Sequence, residues 1–263
     1  MNENKTMDVS SPSFIDLLIE THLGLERQGP GSPETIKKAL GFLEPLDRFQ
    51  EIADLGCGSG GQTLLLAELL PGRIVGLDLF PAFVDALNEK ARSANLADRV
   101  TGVTGDMAAL PFQRGQFDLI WSEGAIDNIG FRKGLGHWRE FLKDGGYVAV
   151  TCPTWLTNER PAEVEQFWTD AGSRLETLED GVAAMQERGY KFVAAFALSE
   201  DCWTERYFYP REAAINKLLE KYEQCDTVKE YAELNRREVE LYLKFKRHYG
   251  YVFYIGQAVE RDL

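Results

Sequence analysis

Apolar and polar positions follow two rhythms along this chain. Residues 13–27 (SFIDLLIETHLGLER) carry apolar side chains at helical spacing, with Phe14, Leu17, Leu18 and Leu25 on one face. GPGSPE follows. Ser32 suits an N-cap and Pro33 the first helical position, so a second helix is predicted over about 33–43. Strands and helices then alternate. EIADL (51–55), RIVGLDL (73–79), RVTGVTG (99–105), FDLIWS (117–122) and GYVAVTC (146–152) read as strands. Residues 61–70, 81–94 and 132–142 read as helices, the first ended by Pro71-Gly72 and the second opened by Pro81. Such alternation predicts βαβ units and a parallel sheet covered on both faces.

After residue 153 the rhythm changes. Residues 160–172 and 177–188 look helical, YKFVAAFAL (190–198) is a strand, and 210–223 and 227–248 are long amphipathic helices. GYVFYIGQAV (250–259) is a final strand, while SEDCWTERYFYP shows no helical order. The expected fold is α/β: a doubly wound, mostly parallel, seven-stranded sheet with a helical cap. The chain is expected to form a single domain over 1–263. Residues 1–49 make an N-terminal helical lid, 50–153 the ligand-binding core, and 154–263 the last strands with a cap inserted at about 201–249. Helix 227–248 places Tyr231, Leu234, Leu241 and Phe245 on one stripe, most simply a packing face of the cap. A homodimer seam is the alternative.

Composition narrows the partners. A chain of 263 residues with 44% hydrophobic content can bury a sizeable core. Its net charge of −13 repels phosphate backbones, so no nucleic acid is expected. The N-terminal MNENKTMDVSSPS lacks an apolar h-region, and no run of about 18 apolar residues reads as a membrane span. Cys57, Cys152, Cys202 and Cys225 form no C-x-x-C, and the three histidines form no H-x-x-x-H pair. A reduced, cytoplasmic, metal-free protein is expected.

The chemistry concentrates in ADLGCGSGGQT. Gly56, Gly58 and Gly61 fit G-x-G-x-x-G, the dinucleotide fingerprint; Asp54 with Gly56, Gly58 and Gly60 fits D-x-G-x-G-x-G. Asp78, ending the second strand, serves either template, because a carboxylate there accepts ribose hydroxyls. The later motifs decide between them: Gly105-Asp106-Met107, Leu110-Pro111-Phe112, Phe117-Asp118-Leu119-Ile120 and Leu142-Lys143-Asp144-Gly145-Gly146. In that order, over residues 50–153, they resemble class I S-adenosylmethionine-dependent methyltransferases, nearest to the group related to ubiquinone and menaquinone biosynthesis.

The resemblance implies a Rossmann-like methyltransferase fold, S-adenosylmethionine as donor and S-adenosylhomocysteine as product. It implies that Asp54 orders the loop or reaches the methionine amino group, and that Gly56, Gly58 and Gly60 let backbone approach the donor. Asp78 would bind the ribose, Leu79 and Met107 would pack on adenine, and Asp106 would accept from its amino group. Ser122 and Glu123 lie at the carboxyl end of the fourth strand, where the reacting methyl is expected. Cys57 reads as a packing residue, since methyl transfer needs no enzyme nucleophile. GPGSPE has two readings, a donor lid and an ordinary helix start.

One departure bears on the acceptor. Relatives in the quinone group carry an A-L-H-H-like run after strand four; here it is Ala125-Ile126-Asp127-Asn128. Glu123 and Asp127 are the nearest acids, candidates for acceptor binding or proton removal, with donor binding and helix capping as their alternatives. Asn128, Trp155, Trp203 and Tyr207 are candidate acceptor contacts, since aromatic walls suit an apolar or cationic small molecule. A small-molecule methyltransferase is therefore expected. A nicotinamide-dependent oxidoreductase, a macromolecule methyltransferase and a non-catalytic donor-binding module are the competing functions.

Overall fold

A computed structural model describes residues 11–43 and 45–260. Most of the stretch read for a leader (residues 1–10) lies outside the described residues, as do Glu44 and residues 261–263. The sheet contains β1 (Glu51–Leu55), β2 (Arg73–Asp78), β3 (Val100–Thr104), β4 (Phe117–Ser122), β5 (Leu142–Trp155), β6 (Glu176–Thr177), β7 (Tyr190–Ala197) and β8 (Tyr249–Ala258). Its order is β3-β2-β1-β4-β5-β8-β7, with β6 paired to β5 off this path. Strands β1 to β6 pair in parallel, and β8 runs antiparallel to both β5 and β7. The seven-stranded path matches the expected mostly parallel α/β sheet. The eighth strand, β6, has two residues, too few to leave a periodic signal.

Both faces of the sheet are apolar, as parallel strands require. Ile52, Leu119 and Phe253 point into one core, while Ala53, Leu55, Ile120 and Val252 point into the other. Helices α1 (Phe14–Leu23) and α2 (Pro33–Leu40) precede the sheet. Each starts on a reciprocal serine cap: Ser13 with Asp16, and Ser32 with Thr35. Helices α3 (Gly61–Leu69), α4 (Pro81–Ser93) and α5 (Phe131–Trp138) connect the first strands, and α6 (Ala162–Asp170) and α7 (Leu178–Glu187) join β5 to β7. The cap between β7 and β8 holds α8 (Glu200–Trp203), α9 (Tyr209–Lys221) and α10 (Asp226–Phe245). Leu17 of α1 packs with Ile215, Leu218, Val228 and Tyr231, so the N-terminal helix belongs to the cap's core.

Three expectations are corrected here. SEDCWTERYFYP is helical: α8 runs into a π-helical turn, Thr204–Phe208, and then into α9. A π turn has a wider period than 3.6 residues, so its apolar positions miss the α template. The helix predicted over 132–142 stops at Trp138, because Leu142 already pairs with Phe117 in the sheet. Leu25 is buried but lies beyond α1, which ends at Leu23 with Gly24 as its C-cap.

Candidate functional site

The strand order reverses between β1 and β4, and ligands of open α/β sheets sit in the crevice beyond the strand ends at such a point. A cleft of about 550 Å³ lies there, walled by the glycine loop, the ends of β2 and β4, and residues 27–30. The loop makes a tight strand-to-helix turn, with φ of +75° at Gly56, +53° at Gly58 and +87° at Gly60. The N–H groups of Gly56 and Cys57 donate to Leu77 O at 2.8 and 3.1 Å, which draws the loop against β2. Gly56 and Gly58 face the cleft; Gly60 instead packs on Leu87 and opens α3. Burial pushes the Cys57 thiol well above its usual range, in keeping with a packing role.

Asp78 lies on the cleft wall. Its Oδ2 accepts from Gly58 N at 2.9 Å and its Oδ1 from Phe80 N at 3.0 Å. Burial raises its carboxyl, and the Phe80 and Gly58 N–H groups act against that. Asp54 is fully buried below the loop and does not line the cleft. Thr63 Oγ1 donates to its Oδ2 at 2.6 Å, while Oδ1 has no hydrogen-bond partner among the described residues. Burial raises its pKa to about 7, against the hydroxyl of Thr63, and the nearby Glu123 adds to the rise. Leu79, 60% exposed, Asp106 and Met107 also line the cleft. Asp106 Oδ1 takes Ala108 N at 2.8 Å and the Met107 carbonyl takes Trp138 Nε1 at 2.9 Å, fixing this turn.

The acids at β4 are placed very differently from one another. Both oxygens of Glu123 are engaged: Oε1 accepts from Trp121 Nε1 at 2.8 Å, and Oε2 pairs with Arg27 Nη2. The pair is buried, with side chains 6% and 4% exposed. Burial raises the Glu123 carboxyl, and Arg27 pulls it back. This geometry makes Glu123 an anchor for the N-terminal segment. Asp127 lies off the cleft, taking Ser173 Oγ at 3.2 Å; its Oδ1 is buried with no partner among the described residues, and burial raises its carboxyl. Ser122 is buried and donates to Leu55 O at 2.7 Å, tying β4 to β1. Asn128 lines the cleft and donates to Ala125 O at 3.0 Å.

The aromatic candidates also separate. Trp203 is 1% exposed and stacks on Tyr242 with centroids 4.3 Å apart, so it is cap core and not an acceptor contact. Trp155 is buried and borders a separate cavity of about 320 Å³ together with Trp168 and Ser173. Tyr207 lines a larger chamber on the cap side of the donor cleft.

Two residues of the cleft roof were not singled out from the sequence. Arg27 closes the ion pair just described. Gln28 Nε2 donates to His22 O, Leu25 O and Ser59 Oγ at 3.0, 3.2 and 2.9 Å, and its Oε1 accepts from Ser59 N at 3.1 Å. A Cβ on Gly31 would collide with Arg27 Nη2 and stand 2.7 Å from Glu123 Oε2. The sequence signal for this roof is GPGSPE itself, in which Gly31 admits the close approach.

Residues 52–146 match the family model of a methyltransferase domain. A demethylmenaquinone methyltransferase of Bacteroides fragilis is 28% identical over 145 residues, covering 54% of this chain and 56% of that protein. The erythromycin 3''-O-methyltransferase of Saccharopolyspora erythraea is 34% identical over 132 residues, covering 48% and 41%. The chain thus spans about half the length of these curated relatives. A crystal structure of an S-adenosylmethionine-dependent methyltransferase from Geobacter sulfurreducens, in complex with S-adenosylhomocysteine, has a TM-score of 0.79 at 21% identity. It covers 92% of this chain and 97% of that one, a likeness of fold. Residues 52–146 thus match a methyltransferase domain, on a fold shared with solved S-adenosylmethionine-dependent methyltransferases.

Proposed function

We propose that this chain transfers a methyl group from S-adenosylmethionine to a small-molecule acceptor. The observation that carries the proposal is the cleft at the strand-order reversal, with the Asp78 carboxylate on its wall and the glycine loop as its floor. The residues present fit the donor. Asp78 is held by two backbone N–H groups and retains lone pairs for ribose hydroxyls. The orphaned Oδ1 of Asp54, buried below the loop, would serve a donor ammonium through water. Met107 and Leu79 offer apolar surface to a purine, with Asp106 beside them.

When bound, the donor supplies an electrophilic methyl on a sulfonium sulfur and leaves as a neutral thioether. The chain's own residues then have two tasks, alignment and exclusion of water. Gln28, bonded to the loop through Ser59, and Arg27, anchored on Glu123, roof the cleft. Asn128 also lines it.

The same proposal treats the chain as a single domain with an N-terminal lid and an inserted cap. It places the protein in a reducing, cytoplasmic setting, which the four free cysteines support. Among the described residues no helix is long and apolar enough to cross a membrane, and no group of three His, Cys, Asp or Glu side chains could hold a metal ion. The net charge of −13 argues against a nucleic-acid acceptor. Of the stripe that offered a homodimer seam, Tyr231 and Leu241 are packed at 5% and 1% exposure while Leu234 stays 52% exposed; light scattering decides whether the chain dimerises.

The deciding experiment is label transfer. Protein is incubated with deuteromethyl S-adenosylmethionine and cell extract split into small-molecule, lipid, protein and nucleic-acid fractions, with Asp78→Ala as control. Label in one small molecule, lost in the control, is expected. Label in protein or nucleic acid refutes the acceptor class, and calorimetric binding of a nicotinamide dinucleotide in preference to S-adenosylhomocysteine refutes the donor.

A further inference from the structure

On the cap side of the donor cleft lies a second, larger cavity of about 1090 Å³. It is a half-open groove between α1, α6, the π turn and α10, and it abuts the cleft on Leu18, Gln28 and Phe83, which line both. We propose that this chamber is the acceptor site, and that it takes a mainly apolar molecule bearing a hydroxyl. This rests on the methyl-transfer proposal above.

Size and apolar lining come first. The volume is that of a site for a drug-sized ligand. Phe14, Leu18, Phe167 and Leu234 supply apolar wall, and Phe14 meets Tyr231 edge-on at 5.9 Å. Phe14, Leu18 and Leu234 stay 41%, 36% and 52% exposed, although their neighbours on the same helices are packed. Apolar side chains left open around a concave site mark a ligand surface.

Charge comes second. Glu238 accepts from Arg211, and Glu163 pairs with both Arg237 and Lys244, so these two wall carboxylates are compensated within the protein. A third, Asp170, accepts from the neutral Gln166 amide at 2.6 Å.

The hydroxyl requirement comes from two buried polar atoms. Tyr231 lines the chamber and is 5% exposed; Thr21 and Asn235 lie near its Oη, yet it makes no well-aligned hydrogen bond among the described residues. A buried hydroxyl without a well-aligned partner is unfavourable, and a ligand oxygen would relieve that. His22, also on the wall, sits with Nδ1 2.9 Å from Leu18 O. A carbonyl only accepts, so Nδ1 carries the proton and Nε2 is left as an acceptor. Its present donor is Tyr207 Oη at a long 3.3 Å, and that oxygen is itself held by Arg211 Nη1 at 2.9 Å. The chamber thus offers a donor-capable hydroxyl at Tyr231 and a weakly engaged acceptor at His22. A ligand hydroxyl, able to accept and donate, satisfies either.

The test is equilibrium binding of 2-naphthol and of naphthalene to the full chain, followed by ligand fluorescence. Calorimetry with S-adenosylhomocysteine runs in parallel. Ala171→Trp places a large ring in the chamber wall at an exposed position outside the donor cleft. Tyr231→Phe removes only that hydroxyl. Saturable 2-naphthol binding is expected, weakened at least tenfold in Ala171→Trp with S-adenosylhomocysteine affinity unchanged. In Tyr231→Phe, 2-naphthol should lose about three- to tenfold, the scale of one hydrogen bond, and naphthalene nothing. No saturable 2-naphthol binding, or equal binding in wild type and Ala171→Trp, overturns the chamber. Equal losses for both probes in Tyr231→Phe overturn the hydroxyl selectivity. Failure of S-adenosylhomocysteine to bind sinks the methyl-transfer proposal instead, and the probe result still decides whether the chamber binds apolar ligands.

Discussion

Replacing Arg27 by methionine would remove one half of the buried pair and keep most of its volume. Breaking such a pair from one side typically costs about 3–5 kcal/mol, because a charge is left buried without compensation. Here Glu123 has a cheaper route, since it can take up a proton. Holding a carboxyl of ordinary pKa 4.5 in its neutral form at pH 7 costs about 3 kcal/mol, at roughly 1.4 kcal/mol per pH unit. That sets the ceiling on the loss. The sign follows from linkage: the raised folded-state pKa means the folded variant binds more protons than the unfolded chain, so its stability falls as pH rises above about 4.5. Urea unfolding should therefore show a loss of up to about 3 kcal/mol at pH 7, shrinking to under about 1 kcal/mol at pH 5. The double variant Arg27→Met/Glu123→Gln, which keeps an acceptor for Trp121 Nε1, should recover most of it. Equal losses at pH 5 and pH 7 would mean that water already reaches Glu123, and the reasoning would be refuted.

Other outcomes follow from the same geometry. Asp78→Ala should weaken S-adenosylhomocysteine binding tenfold or more in calorimetry, because charged hydrogen bonds of about 1.5–3 kcal/mol go with it; an unchanged affinity would remove Asp78 from the ribose. Asp54, raised to about 7, must ionise to receive an ammonium. Donor affinity should fall as pH drops below 7, with proton release on binding, and Asp54→Asn should flatten that profile; a wild-type affinity constant from pH 5.5 to 8 contradicts this role. Without ligand the same raised carboxyl favours the protein at low pH, and that contribution is lost as pH rises through about 7. Trp203→Ala should cost about 3–5 kcal/mol in urea unfolding, the penalty for deleting a buried aromatic, and a loss below 1 kcal/mol would deny its place in the cap core.

The donor half of the molecule was largely legible in the sequence, because local rules govern it. Ser32-Pro33 marks a helix start by capping chemistry alone, and β1 to β4 show as apolar runs bounded by glycine and proline. Gly56, Gly58, Asp78, Asp106 and Met107, picked out by motif order, meet around one cleft. What stayed hidden depends on distant partners. Arg27 and Glu123 stand 96 residues apart, and nothing local pairs them. Gln28 reaches Ser59 across 31 residues. The aromatic run 203–209 read as irregular because its π turn shifts the face presented, so Trp203 and Tyr207 fell into one expectation although one is cap core and the other lines the chamber.

The position of β8 has a consequence for how the molecule is made. It lies between β5 and β7, yet it is synthesised after both and after the whole run of cap helices. Until it emerges, β5 and β7 each present an unpaired edge, and residues Tyr147 to Trp155 lack the partners they will have in the native sheet. Exposed edges of this kind recruit other chains. A ribosome paused within α10 would therefore hold a chain whose parallel half can already form and whose other half is open to aggregation. Chaperone demand should be concentrated in that interval.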